Sequence, residues 1–147
     1  MLAVPTRVSG VLAGVWAGAS WAIALIGAPA GFKITALEVA GRIAGRMFVQ
    51  EAYLSLVLSV LLIVLMRWLT RSEAQANGSS LFSANLLLVL GALFCTVFGY
   101  FAVQPMLADA RAGQGALSFG ALHGISMGFF GLKAVLITAL AWRLAAR

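Results

Sequence analysis

Four apolar stretches, each about as long as a helix needs to cross a bilayer, take up nearly all of this 147-residue chain. A hydrocarbon core about 30 Å thick requires roughly 20 apolar residues in α-helical form. The stretches fall at about residues 9–30, 48–69, 81–104 and 118–142. Lipid offers no partner to backbone N–H and C=O groups, so apolar segments of this length span as helices that bond internally. The sequence therefore predicts an all-α, four-helix transmembrane bundle forming a single domain over residues 1–147. Composition agrees, with 63% hydrophobic and 10% charged residues against roughly 45–50% and 25% in soluble domains.

The boundaries follow from local chemistry. Arg7 precedes an apolar run from Val8 to Phe32, longer than the 7–15 residues or so of a cleaved signal core, which predicts a retained signal anchor. Pro29 lacks a backbone N–H and is expected to end the first span. The segment at about 34–50 carries Glu38, Arg42 and Arg46 on one side and Leu37, Ala40, Ala44, Met47 and Phe48 on the other. That periodicity predicts an amphipathic interfacial helix between spans one and two. Glu38 and Arg42 have the favourable order for an i,i+4 pair, worth about 0.2–0.5 kcal/mol. Arg67, Trp68 and Arg71 close span two as interfacial anchors. Ser72–Ser80 reads as a polar loop, and Pro105 is expected to stop span three.

The net charge of +6 has no loop long enough to present it to nucleic acid. Basic residues at helix ends instead contact anionic lipid and set orientation. One side holds Arg7, Arg67, Arg71, Arg143 and Arg147; the other holds Lys33, Arg42, Arg46 and Arg111. Arg42 has Glu38 beside it and Arg46 can reach Gln50, which discounts this segment, and the amino terminus adds to the first side. The expectation is a bacterial inner-membrane protein with both termini in the cytoplasm.

Three features bear on function. Gly10, Gly14 and Gly18 in span one, and Gly120, Gly124 and Gly128 in span four, recur every fourth residue and leave a smooth groove on one helix face. Such grooves favour close helix packing in lipid, most simply of span one on span four, with a homo-oligomer interface as the alternative. Arg42, Arg46, Glu51, Gln104, Asp109, Arg111 and His123 map to one end of the four-span arrangement. They form either a salt-bridge network fixing the non-cytoplasmic loops or a binding vestibule in which Glu51 and His123 change protonation. Lys133 lies nine residues before Trp142, with no acidic residue expected at its depth. Its stem is long enough to snorkel to the head groups; if it faces the bundle centre, it marks a polar pathway with Ser126.

Catalytic chemistry finds few actors. One histidine and four acidic residues give no protein-only metal site. Met127 is one turn from His123, so the two cannot reach opposite faces of a haem. Cys95 is the single cysteine, which excludes an intramolecular disulfide or a CxxC site. Nucleophilic serine, phosphate-loop and paired-carboxylate motifs are absent, so an enzyme here would depend on a bound cofactor, whose identity the sequence leaves unknown.

Two motifs carry a family resemblance. Residues 40–48 (AGRIAGRMF), approached through Pro29 and Phe32 and followed by Tyr53, resemble the signature of the domain-of-unknown-function family 4149. Pro105-Met106, Arg111, Phe119 and the run Leu122-His123-Gly124-Ile125-Ser126 resemble its second half. The family includes the eukaryotic transmembrane protein 205 group. The resemblance implies a four-helix membrane protein of unsettled biochemical function and emphasises Arg46, Arg111 and His123. The family pattern has an asparagine seven residues after the histidine where this chain has Phe130, so no polar role is implied there.

These expectations favour a non-catalytic protein with a structural or binding role at the membrane and a polar site at the non-cytoplasmic end. Two alternatives stand beside it. One is an oligomeric transporter component for a small solute, metal complex or amphiphile. The other is a haem- or porphyrin-linked redox protein, by analogy with short four-helix membrane enzymes.

Overall fold

A computed structural model of the chain describes residues 3–77 and 83–146. The first crossing is α1 (Ala3–Ala22), a π turn (Ile23–Gly27) and α2 (Ala28–Ile34) in one continuous run. The second is α3 (Leu37–Asn77), a single helix of 41 residues. The third is α4 (Ala84–Thr96), a second π turn (Val97–Ala102) and α5 (Val103–Arg111), and the fourth is α6 (Phe119–Ala145). All four crossings are long and apolar enough to span a membrane. Side chains such as Val8, Val11 and Val15 expose an apolar outer face, and lipid is the solvent that tolerates it.

Neither proline ends its crossing. Pro29 follows the first π turn and Pro105 the second, and the helix runs on to Ile34 and Arg111. A proline ring clashes with the carbonyl four residues back and offers no N–H. A wider turn placed just before it removes that conflict without breaking the rod. The expected interfacial helix at about 34–50 is likewise not a separate element: from Leu37 it forms the first turns of α3. Its apolar side, with Ala40 and Ala44 buried, covers the end of the first π turn at Gly27 and α2 at Gly31. The expected polar loop is helical as far as Asn77; residues 78–82, including the expected start of span three, lie outside the described residues.

Ser83 and Ser118 cap α4 and α6, each accepting a hydrogen bond from the N–H three residues on, at 3.2 Å. At the end of α5 the N–H of Gln114 donates to Asp109 C=O at 2.8 Å and that of Gly113 to Ala110 C=O at 3.2 Å. This reverse turn requires the positive φ of 71° that Gly113 supplies.

The crossings close into a ring in which α1 packs on α3, α3 on α4, α4 on α6 and α6 on α1. Spans two and four are thus diagonal to each other. Each half of the chain repeats one plan, a helix with a π turn and a proline followed by a long return helix. Trp16, Leu62, Leu86, Ile137 and Leu140 fill the shared core.

The glycine pattern is arranged differently from expectation. α1 does pack on α6, but of the six spaced glycines only Gly10 has α6 beside it, at Leu144. Gly14, Gly18, Gly120, Gly124 and Gly128 face open space. The close contacts with α6 come instead from Gly91, against Leu136, and Gly99, against Phe129. A methyl group at Gly99 would overlap the Phe129 Cβ, which cannot swing away. We therefore expect Gly99→Ala to cost about 1–3 kcal/mol by overpacking and Gly124→Ala to leave stability unchanged. Thermal melts in detergent compare the two.

Candidate functional site

Span two carries Glu51, Ser55 and Ser59 at intervals of four, and span one carries Trp16 and Ser20 at the same interval. Helical geometry puts each set on one face, and both faces turn inward, where all five side chains are buried. Lys133 reaches them from α6. Glu51 and Lys133 each lie fourteen residues after the first residue of their helix, Leu37 and Phe119. The rise of about 1.5 Å per residue brings both to mid-depth from the same end of the bundle.

The two charges meet across the ring's diagonal. Lys133 Nζ lies 2.6 Å from Glu51 Oε2, 2.8 Å from Oε1 and 3.3 Å from Ser55 Oγ. An ammonium has three protons to donate, and these three acceptors use them all. Glu51 Oε1 also accepts from Ser20 Oγ at 2.7 Å and Ser55 Oγ at 2.8 Å, while Trp16 Nε1 donates to Ser55 Oγ at 2.8 Å. Ser55 therefore donates once and accepts twice, the full capacity of a hydroxyl. The Lys133 ammonium further sits 4.5 Å over the Phe130 ring, which packs edge-on against Phe48. Phe130 thus occupies the site's flank.

The expectation that Lys133 snorkels, without an acid at its depth, is overturned. A span two that begins near residue 48 puts Glu51 at its edge; α3 begins eleven residues earlier, so Glu51 is deep. Ser126 does not join Lys133 either; it donates to Gly99 C=O at 2.7 Å, tying α6 to the second π turn. The polar stripe of Glu51, Ser55 and Ser59, one every four residues in span two, is the sequence signal for this centre.

The remaining predicted residues stay at one end, apart from Glu51. Arg42 and Arg46 are exposed on the first turns of α3, and Gln104 is half-buried on α5. Among the described residues the ion pair is Lys133–Glu51, and Glu38–Arg42 does not form one. Exposed Asp109 lines a cavity of about 130 Å³ with Gly115, Leu117 and Leu122. The Arg111 guanidinium lies 4.8 Å from the Phe119 ring centre. His123 stacks on the same ring at 5.8 Å and 8°. Three side chains from α5 and α6 thus form one exposed cationic–aromatic step. No three His, Cys, Asp or Glu side chains gather among the described residues as a metal site would need.

The family model described as Domain of unknown function (DUF4149) matches residues 11–116. The chain belongs to this family. The DUF4149 match takes in Arg42, Arg46, Glu51, Gln104, Asp109 and Arg111, and ends before His123 and Lys133. No curated protein and no solved structure matches the chain.

Removing one member of a buried, hydrogen-bonded ion pair leaves the other charge unpaired and costs about 3–5 kcal/mol, whereas replacing both by apolar groups is far milder. Glu51→Met and Lys133→Met should each destabilise the bundle strongly, and the double variant should be more stable than either. A double-mutant cycle of detergent melts measures that coupling.

Proposed function

We propose that this DUF4149 protein is a non-catalytic binding protein of the bacterial inner membrane, with both termini cytoplasmic and its working surface at the opposite end. The observation that carries the reading is the Arg111–Phe119–His123 step. A guanidinium held over an aromatic ring, with an imidazole stacked parallel to that ring, offers charge-assisted donors to an anionic group and a flat apolar platform to what that group is attached to. Arg42 and Arg46, exposed at the same end, add positive charge for attraction, and Asp109 beside the small cavity gives polarity of the other sign. The central network supports the division of labour: its donors are already used within the protein, so the contribution of Glu51 and Lys133 is to hold the bundle.

The ligand class is a small anion, carboxylate or phosphate, carrying an aromatic or apolar body. Protein purified in detergent is expected to retain such a compound, detected by absorbance and mass spectrometry. Arg111→Ala and His123→Ala should each reduce its occupancy about tenfold, equivalent to about 1.4 kcal/mol, with the melting temperature of the unliganded protein unchanged. Occupancy in both variants equal to that of the parent protein overturns the assignment.

A second reading, an oligomeric transporter component, has one observation in its favour, the ionisable pair at mid-depth, where such groups often mark pathways. Four helices make a thin wall, so this reading requires an oligomer. Native mass spectrometry showing monomer alone excludes it.

A further inference from the structure

We infer that the outer groove between α1 and α6 binds one anionic phospholipid, its acyl chain along the groove and its phosphate on Arg143. The groove encloses about 420 Å³ and is lined by Trp21, Val135, Thr138, Ala139, Trp142 and Arg143. It lies toward the end of α6 where the chain termini sit, opposite the Arg111 step, and is independent of the proposed anion site there.

Three observations define the occupant. The groove has an internal frame: Trp21 Nε1 donates to Thr138 Oγ1 at 3.0 Å, and Thr138 Oγ1 in turn donates to Ala134 C=O at 2.7 Å. Both polar groups are therefore satisfied within the protein, and what remains for a guest is apolar. From Val135 to Trp142 the lining runs seven residues, about 10 Å along the helix. That is roughly a third of the hydrocarbon thickness, at the depth where the upper part of an acyl chain lies.

Arg143 is the cation among the groove's lining residues. Arg143 Nε donates to Asn85 Oδ1 at 2.9 Å, and Asn85 is itself buried in α4. This bond fixes the plane of the guanidinium and leaves its terminal nitrogens for a phosphate, which suits their fork geometry. Trp142, 78% exposed, belongs to the aromatic belt at head-group level. An apolar trough ending in an oriented cation complements a molecule with one apolar chain and one anionic phosphate. A zwitterionic lipid presents its own cation beside that phosphate and gains less.

The test is a native mass spectrometry titration of the full chain in detergent with phosphatidylglycerol, and in parallel with phosphatidylcholine. One phosphatidylglycerol is expected to bind at least fivefold more tightly than phosphatidylcholine. Arg143→Gln should remove that preference, whereas Arg67→Gln, which deletes an exposed charge from diagonal α3 at the same end, should preserve it. Because Arg143→Gln also loses the Asn85 bond, Ala139→Phe provides a second probe: it fills the trough, retains the charge, and should lower affinity for both lipids. Equal binding of the two lipids by the parent protein overturns the inference. So does a preference that survives Arg143→Gln, or unchanged affinity in Ala139→Phe.

Discussion

The Glu51–Lys133 bond is the constraint around which the bundle is organised. Lipid removes the hydrophobic drive that would hold helices together in water, because acyl chains are as apolar as leucine. Cohesion must come from close packing and from polar contacts. This bond joins α3 to α6 across the diagonal of the ring, and Ser20 and Trp16 bring α1 into the same network. α4 is held by another means. Gly91 and Gly99 let α6 approach closely, and Ser126 bonds the backbone at Gly99. Crossings one, two and four thus share the ion-pair network, and the third is held by close glycine packing together with the Ser126–Gly99 and Arg143–Asn85 hydrogen bonds.

Hydropathy made the number of crossings legible, and the polar pattern made part of the centre legible. What sequence could not supply was depth. Apolarity alone starts span two at about residue 48, which puts Glu51 at the membrane surface and leaves Lys133 without a partner. A charged helical segment that continues into an apolar one gives no composition break, because Arg42 and Arg46 lie on the outer side of a rod whose inner side is already packing on α2. The prolines misled in the same way: their rule is local, and a π turn upstream satisfies it. Glycine spacing marked a face correctly and left open which way the face points, since periodicity is blind to rotation of the whole helix.

The two ends of the molecule differ in chemical character. At one, charged and aromatic groups from α5 and α6 are left uncovered around a glycine turn. At the other, the aromatic and basic residues of α6 stand beside an apolar trough. The saturated centre separates them, so binding at either end leaves the hydrogen bonds that hold the bundle intact.

The diagonal pairing also dictates an order of assembly. Glu51 is synthesised 82 residues before Lys133, and three of the four crossings exist before its cation does. During that interval the carboxylate has only Ser20, Ser55 and Trp16 nearby, a shell suited to hydrogen bonding but carrying no charge. Arrival of α6 therefore does more than add a wall: it brings the ion-pair partner of an acid already committed to the membrane. A nascent chain that stops before α6 lacks the lysine that pairs with this acid, so the last crossing to be made is the one that completes the centre.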